Sequence, residues 1–160
     1  MNTFSDMVMR SHPSNMPEAY QLWESPEILA HLACFVNIHV ALADYKQMLM
    51  KDAQNEGTPC TRPMLLHFRD DPKARKNISQ FMCGENILMA PVFDETAESV
   101  TVYLPGPTIW THVWSGKLYD VTFEGMELVD FAAPVGQPAV FYRNTAKYSL
   151  SDVMTQFVKE

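Results

Sequence analysis

The rhythm of apolar positions along this chain changes near Gly84. Before it, apolar residues come mainly at helical spacing, broken by short strand-like stretches. Residues 3–9 (TFSDMVM) read as a short buried strand that ends at Arg10. Pro13 and Pro17 keep the next segment extended or turning, because each proline fixes its own φ and restrains the residue before it. Ser25, Pro26 and Glu27 then supply an N-cap, a first-turn proline and an acid at the positive end of the helix dipole. From there Ile28, Leu29, Leu32, Phe35, Val36, Val40, Ala43 and Met50 recur at helical spacing, with Leu42, Tyr45 and Leu49 widening the face. Gly57 and Pro59 stop the run, so the pattern predicts one long helix from Pro26 to Asn55. Thr61–Phe68 (TRPMLLHF) reads as the next strand, Asp70-Asp71-Pro72 as a helix cap, and Lys73–Met82 as a shorter helix closing at Gly84. Strand, helix, strand, helix favours parallel pairing in an α/β layer.

After Gly84 the period shortens. Residues 87–92, 99–104, 109–114, 117–123, 126–132 and 139–143 read as strands, separated by Gly-Pro, Ser-Gly, Glu-Gly and Val-Gly turns. This is an antiparallel module, most simply a sandwich. Leu150–Val158 is the one further helical stretch. The expected division is 1–84, 85–145 and a tail, 146–160.

Hydrophobic residues make up 47% of the chain, enough for a packed core. The net charge of −7 argues against nucleic acid or an anionic membrane as partner, since either calls for a basic face. Cys34, Cys60 and Cys83 are odd in number and widely spaced, with no zinc-ligand pattern, so no metal or cofactor is expected. No apolar stretch approaches the roughly 20 residues of a membrane span. The first residues lack the basic start and apolar stretch of a secretory signal, so the default expectation is cytoplasmic. Asn77-Ile78-Ser79 fits the glycosylation sequon and is read as chance in that setting.

Five strings occur in a fixed order: MRSHPSN, GTPCTRPMLLHFRDD, QFMCGENILMAPV, VYLPGPTIWTHVWSGKLYD and APVGQPAVFYR. Together they resemble the C-terminal part of glycoside hydrolase family 31, the α-glucosidase and α-xylosidase family, and within it the sulfoquinovosidase-like branch. The resemblance covers residues 3–143. It implies an α+β chain: the last two β/α units of a (β/α)8 TIM barrel followed by an antiparallel β-sandwich. Residues 4–10 would be the seventh barrel strand, Pro26–Asn55 the helix after it and Thr61–Phe68 the eighth strand.

The chemistry implied is retaining hydrolysis of an α-linked glycoside, which needs two carboxyl groups roughly 5–5.5 Å apart. In the family both are aspartates on earlier barrel strands, the nucleophile in a W-x-D-M-N-E context. Neither context occurs here; Asp6-Met7 echoes the nucleophile only by chance. The resemblance therefore gives no catalytic residue and implies a fragment inactive alone. It gives His12 as a contact to sugar hydroxyls, with Arg10 beside it at the strand end; Pro13 is a departure from the pattern. Ligand contacts at the C-terminal ends of barrel strands suit that fold.

The remaining candidates have plainer uses. Asp70 and Asp71 suit a helix cap better than an acid/base pair, and His67 reads as a packed or loop-facing residue. His31 and His39, eight residues apart, make poor metal ligands. Trp110 and Trp114 would share a face of one strand and pack a core. If either lay exposed on a concave sheet, a carbohydrate-binding or protein-interaction module would become the better reading. A further alternative is a subunit that docks on a homologous glycosidase chain through unpaired barrel strands. Two barrel strands cannot close a ring, so residues 1–84 are expected to be less settled in isolation than 87–143.

Overall fold

A computed structural model describes residues 2–5, 25–94 and 96–158. Arg10, His12 and Asp6 lie outside these residues, as does most of the expected strand 3–9. Its described beginning is a 3-10 turn at Asn2–Phe4 rather than extended chain.

Helix α1 spans Pro26–Ala41 and α2 spans Ala43–Glu56. Ser25 caps α1 by accepting from the Ile28 N–H at 3.3 Å, and Gly57 ends α2 in the left-handed conformation, φ 70°. The single helix expected over 26–55 is thus two, bent by 55° at Leu42. The bend carries Leu42, Tyr45 and Leu49 into the core, all within 1% of complete burial. No glycine or proline marks the break. No single helix among the described residues is long and apolar enough to cross a membrane; only the bent pair together reaches that length.

Strand β1 is Thr61–Arg62 alone. Pro63 lacks the N–H that a longer strand needs, and Met64–Leu66 form a 3-10 turn. Helix α3 is one short segment, Pro72–Lys76. It stops because Asn77 Oδ1 accepts from the Ser79 and Gln80 N–H groups, offering the backbone an alternative to the next helical turn. The expected helix over 73–82 therefore gives way to strand β2, Phe81–Cys83. Then come β3 Ile87–Ala90, β4 Ser99–Leu104, β5 Thr108–His112, β6 Leu118–Val121, β7 Met126–Ala132 and β8 Ala139–Tyr142. A last short helix, α4, spans Ser151–Met154.

The strands form a six-stranded sheet, β1-β2-β3-β8-β5-β6, and a two-stranded sheet, β4-β7. Every pairing is antiparallel. The parallel pairing expected for the first half is thus not found among the described residues, and β1 instead pairs antiparallel with β2. Residue 84 falls in the turn between β2 and β3, which pair antiparallel. The architecture shown is α+β with antiparallel sheets.

Three layers result. Alternate residues of β3 and β8 face opposite ways, as a strand period of two requires. Leu88, Ala90, Ala139 and Phe141 meet Val102, Leu104 and Trp110 in a core between the two sheets. Ile87, Met89, Val140 and Tyr142 meet Ile38, Leu42, Tyr45, Leu49 and Phe4 in a second core beneath the helices. With both faces covered, these strands read as unbroken apolar runs. Ile38, Leu42, Tyr45 and Leu49 thus pack the helices directly onto the sheet. On the outer helix surface Leu29, Val36, Val40 and Met50 stay exposed.

Candidate functional site

A pocket of about 400 Å³ opens where α2, the loop before β1 and the turn after it converge. The C-terminal half of α2 contributes Met48, Leu49, Asp52 and Glu56. Arg62, Leu66, His67 and Arg69 line it from the β1 side, with Glu85 and Lys147 opposite. Gly84 lets α2 approach this closely. It holds φ +61°, and a Cβ there would collide with the Tyr45 hydroxyl and come within 2.7 Å of Leu49 Cδ2.

Three of the charged residues in the pocket already have partners. Lys147 Nζ lies 2.6 Å from Asp52 Oδ2, tying the segment after β8 to α2, and this bond raises the Lys147 pKa. Glu85 Oε1 accepts from Thr145 Oγ1 at 3.1 Å. Just behind, the Arg143 Nε–H donates to the Glu85 carbonyl at 2.7 Å, and its guanidinium lies over the rings of Phe68 and Trp110 at 4.7 and 5.3 Å. Burial lowers the Arg143 pKa, yet a guanidinium starts so high that it stays charged.

Two atoms at the pocket differ. Arg62 is 6% exposed, and its Nε has no hydrogen-bond partner. His67 Nε2 is buried and likewise unpartnered. Burial, reinforced by the charges of Arg62 and Arg143, holds the His67 pKa down to about 4, so the ring is neutral near pH 7. The lining residues include no base-activated nucleophile. Among the described residues no His, Cys, Asp and Glu group could hold a metal ion.

The sequence candidates are scattered. His12 and Arg10 lie outside the described residues. Asp71 is a helix cap, as expected: its Oδ1 accepts from the N–H groups of Lys73 and Ala74 at 2.9 and 3.0 Å. His31 stacks on Phe35, and His39 Nδ1 meets Lys46 Nζ at 2.8 Å. Trp110 and Trp114 are buried, their indole N–H groups donating to the carbonyls of Pro105 and Pro138. They do not share a face, however. The strand ends at His112, which leaves Trp110 in the intersheet core and Trp114 in the core beneath the helices. Sequence reasoning gives His67 only a packing or loop role and does not single out Arg62. The signal available for Arg62 is a charged residue at the head of the apolar run TRPMLLHF.

Comparison with known proteins places these features. Residues 57–146 match the glycosyl hydrolase family 31 C-terminal domain. A sulfoquinovosidase of Agrobacterium fabrum is 37% identical over 141 residues, a match that covers 85% of this chain and 20% of that protein. A sulfoquinovosidase of Escherichia coli is 34% identical over 143 residues, 89% of this chain and again 20% of its relative. This chain thus spans about a fifth of the length of these relatives. Among solved structures, a family 31 sulfoquinovosidase from E. rectale, in complex with an aza-sugar inhibitor, superposes with a TM-score of 0.80 at 29% identity. The match covers 93% of this chain and 21% of that one. An α-xylosidase from a soil metagenome, complexed with xylose, gives 0.76 at 27% identity over 85% of this chain and 19% of its own. The chain belongs to glycosyl hydrolase family 31, and its sheets are the C-terminal domain of that family.

Proposed function

We propose that this chain is the C-terminal portion of a retaining α-glycoside hydrolase, contributing part of the wall of a sugar pocket and none of its catalytic carboxylates. The observation that carries this reading is the match of residues 57–146 to the family's C-terminal domain. On this reading His12 hydrogen-bonds hydroxyls of the bound sugar and Arg10 lies beside it at the end of the last-but-one barrel strand. An imidazole suits the task because it donates or accepts according to tautomer. The bond-breaking steps belong to an acid/base and a nucleophilic carboxylate carried by polypeptide beyond these 160 residues. The chain by itself then binds no transition state and turns nothing over.

The test is a graft. This chain replaces the matching 141-residue part of the Agrobacterium fabrum sulfoquinovosidase. Hydrolysis by the graft, lost in His12→Ala and absent from the 160-residue chain alone, supports the reading; full activity of the His12→Ala graft removes the role given to that residue.

A carbohydrate-binding module is the weaker reading, because both tryptophans it would stack sugar upon are buried. The docking-subunit reading keeps one supporting observation, the exposed apolar residues Leu29, Val36 and Val40 along α1.

A further inference from the structure

We propose that the Arg62–His67 pocket is a socket for a carboxylate side chain carried by the barrel portion of a family 31 glycosidase. The inference rests on the fragment reading and names the contact by which the two portions recognise each other.

Arg62 is the starting observation. A guanidinium cannot shed its proton to escape burial, as a buried lysine or histidine can. A buried one therefore needs a negative partner, and planar bidentate recognition of carboxylate is what its geometry serves. Arg62 is 6% exposed, its Nε–H has no acceptor, and it forms no ion pair among the described residues. Of the acids lining the pocket, Asp52 is held by Lys147, Glu85 is bonded to Thr145 and Glu56 is exposed; none of them forms an ion pair with Arg62. His67, beside it on the same pocket, is neutral and its ring N–H is engaged by the Gly84 backbone, so the charge that would hold the carboxylate is that of Arg62 alone.

The pocket shape selects the kind of carboxylate. Met48, Leu49, Pro59 and Leu66 give it apolar walls around the guanidinium of Arg62. That combination fits a side chain with a methylene stem and an acidic tip better than a small hydrated anion. The setting also suits an interface: β1 is the outermost strand of the six-stranded sheet, and Leu65 and Met50, close in sequence to lining residues, are exposed. The relatives are more than four times as long as this chain, so a partner surface of the right family exists in them.

The experiment measures binding of the tagged 160-residue chain to the Agrobacterium fabrum sulfoquinovosidase lacking its matched 141 residues. Arg62→Met, Arg62→Lys and a surface control, Val135→Ser, are compared with the parent chain. Binding is expected to fall about 30-fold or more in Arg62→Met, less in Arg62→Lys and not at all in the control. The melting temperature of the isolated chain should stay level or rise in Arg62→Met, since an uncompensated buried charge is removed. A lower melting temperature for that variant means Arg62 is satisfied within the chain and overturns the proposal, as does parent-like binding by Arg62→Met. Stabilisation of the isolated chain by millimolar acetate, with Arg62→Met binding the barrel portion normally, assigns the pocket to a free carboxylate and likewise overturns it. If the parent chain itself fails to bind, the fragment reading falls together with this inference.

Discussion

The Tyr45 hydroxyl donates to the Cys83 carbonyl at 2.9 Å and accepts from the Asn86 backbone N–H at 3.2 Å. One side chain of α2 thereby closes the turn between β2 and β3. Asn86 extends the junction, its Nδ2 donating to the carbonyls of Arg143 and Tyr148 at 2.9 and 3.0 Å. Burial raises the Tyr45 pKa, so the phenol remains a proton donor well into the alkaline range. Tyr45→Phe should therefore lower stability by about 1–2 kcal/mol, the cost of leaving buried partners unmet. Urea unfolding gives the figure, and an unchanged midpoint would mean that water replaces the hydroxyl.

Gly84→Ala strikes the same junction from the backbone. At φ +61° an added Cβ is strained and meets both Tyr45 and Leu49. The expected loss is larger, on the order of 3 kcal/mol, from a strained φ together with overpacking. Calorimetry on the purified variant checks it.

Asp71 serves two elements at once. Its Oδ1 caps α3, and its Oδ2 accepts from the Tyr103 hydroxyl of β4 at 2.7 Å. Asp71→Ala should cost about 2–3 kcal/mol, and Tyr103→Phe about 1 kcal/mol. Because the two share one bond, the double variant should cost less than the sum by about 1 kcal/mol. Strict additivity would show the bond to be idle.

His112 predicts an acid-sensitive core. Its ring is 8% exposed, packed between Phe131 and Phe141, and Nε2 has no partner. Burial lowers its pKa from 6.5 to about 4. Above pH 6.5 the ring is neutral whether folded or unfolded, so stability there is insensitive to this group. As pH falls from 6.5 towards 4, the unfolded ring takes up a proton that the folded ring refuses, and stability is lost. The loss from His112 is on the order of 2 kcal/mol. His67 pulls the same way, being lowered to about 4 as well. His112→Gln should flatten the decline between pH 6.5 and 4 in a denaturation series; an unaltered slope would assign it elsewhere.

These particulars show which parts of the fold are legible in the sequence. Strands β4 and β7 coincide with their sequence expectations at both ends, because polar residues interleave their apolar ones and glycines mark the turns. The segment 61–68 departs from the single strand expected there. A short apolar run looks alike in a strand and in a 3-10 turn, and Pro63 is the stop that separates them. The helix break at Leu42 leaves no mark in the sequence because tertiary packing, rather than a breaker residue, makes it. The Arg62 pocket is hidden for a related reason. Its residues come from segments as far apart as Met48 and Lys147, and only folding brings them together.

The most direct measurement is hydrolysis of 4-nitrophenyl α-glycosides by two purified proteins, the 160-residue chain alone and the graft carrying it on the Agrobacterium fabrum barrel. Release of nitrophenol by the graft, with none above the uncatalysed rate from the chain alone, is the predicted result. Turnover by the isolated chain would contradict it, since the bond would then be broken without the carboxyl pair assigned to the barrel portion.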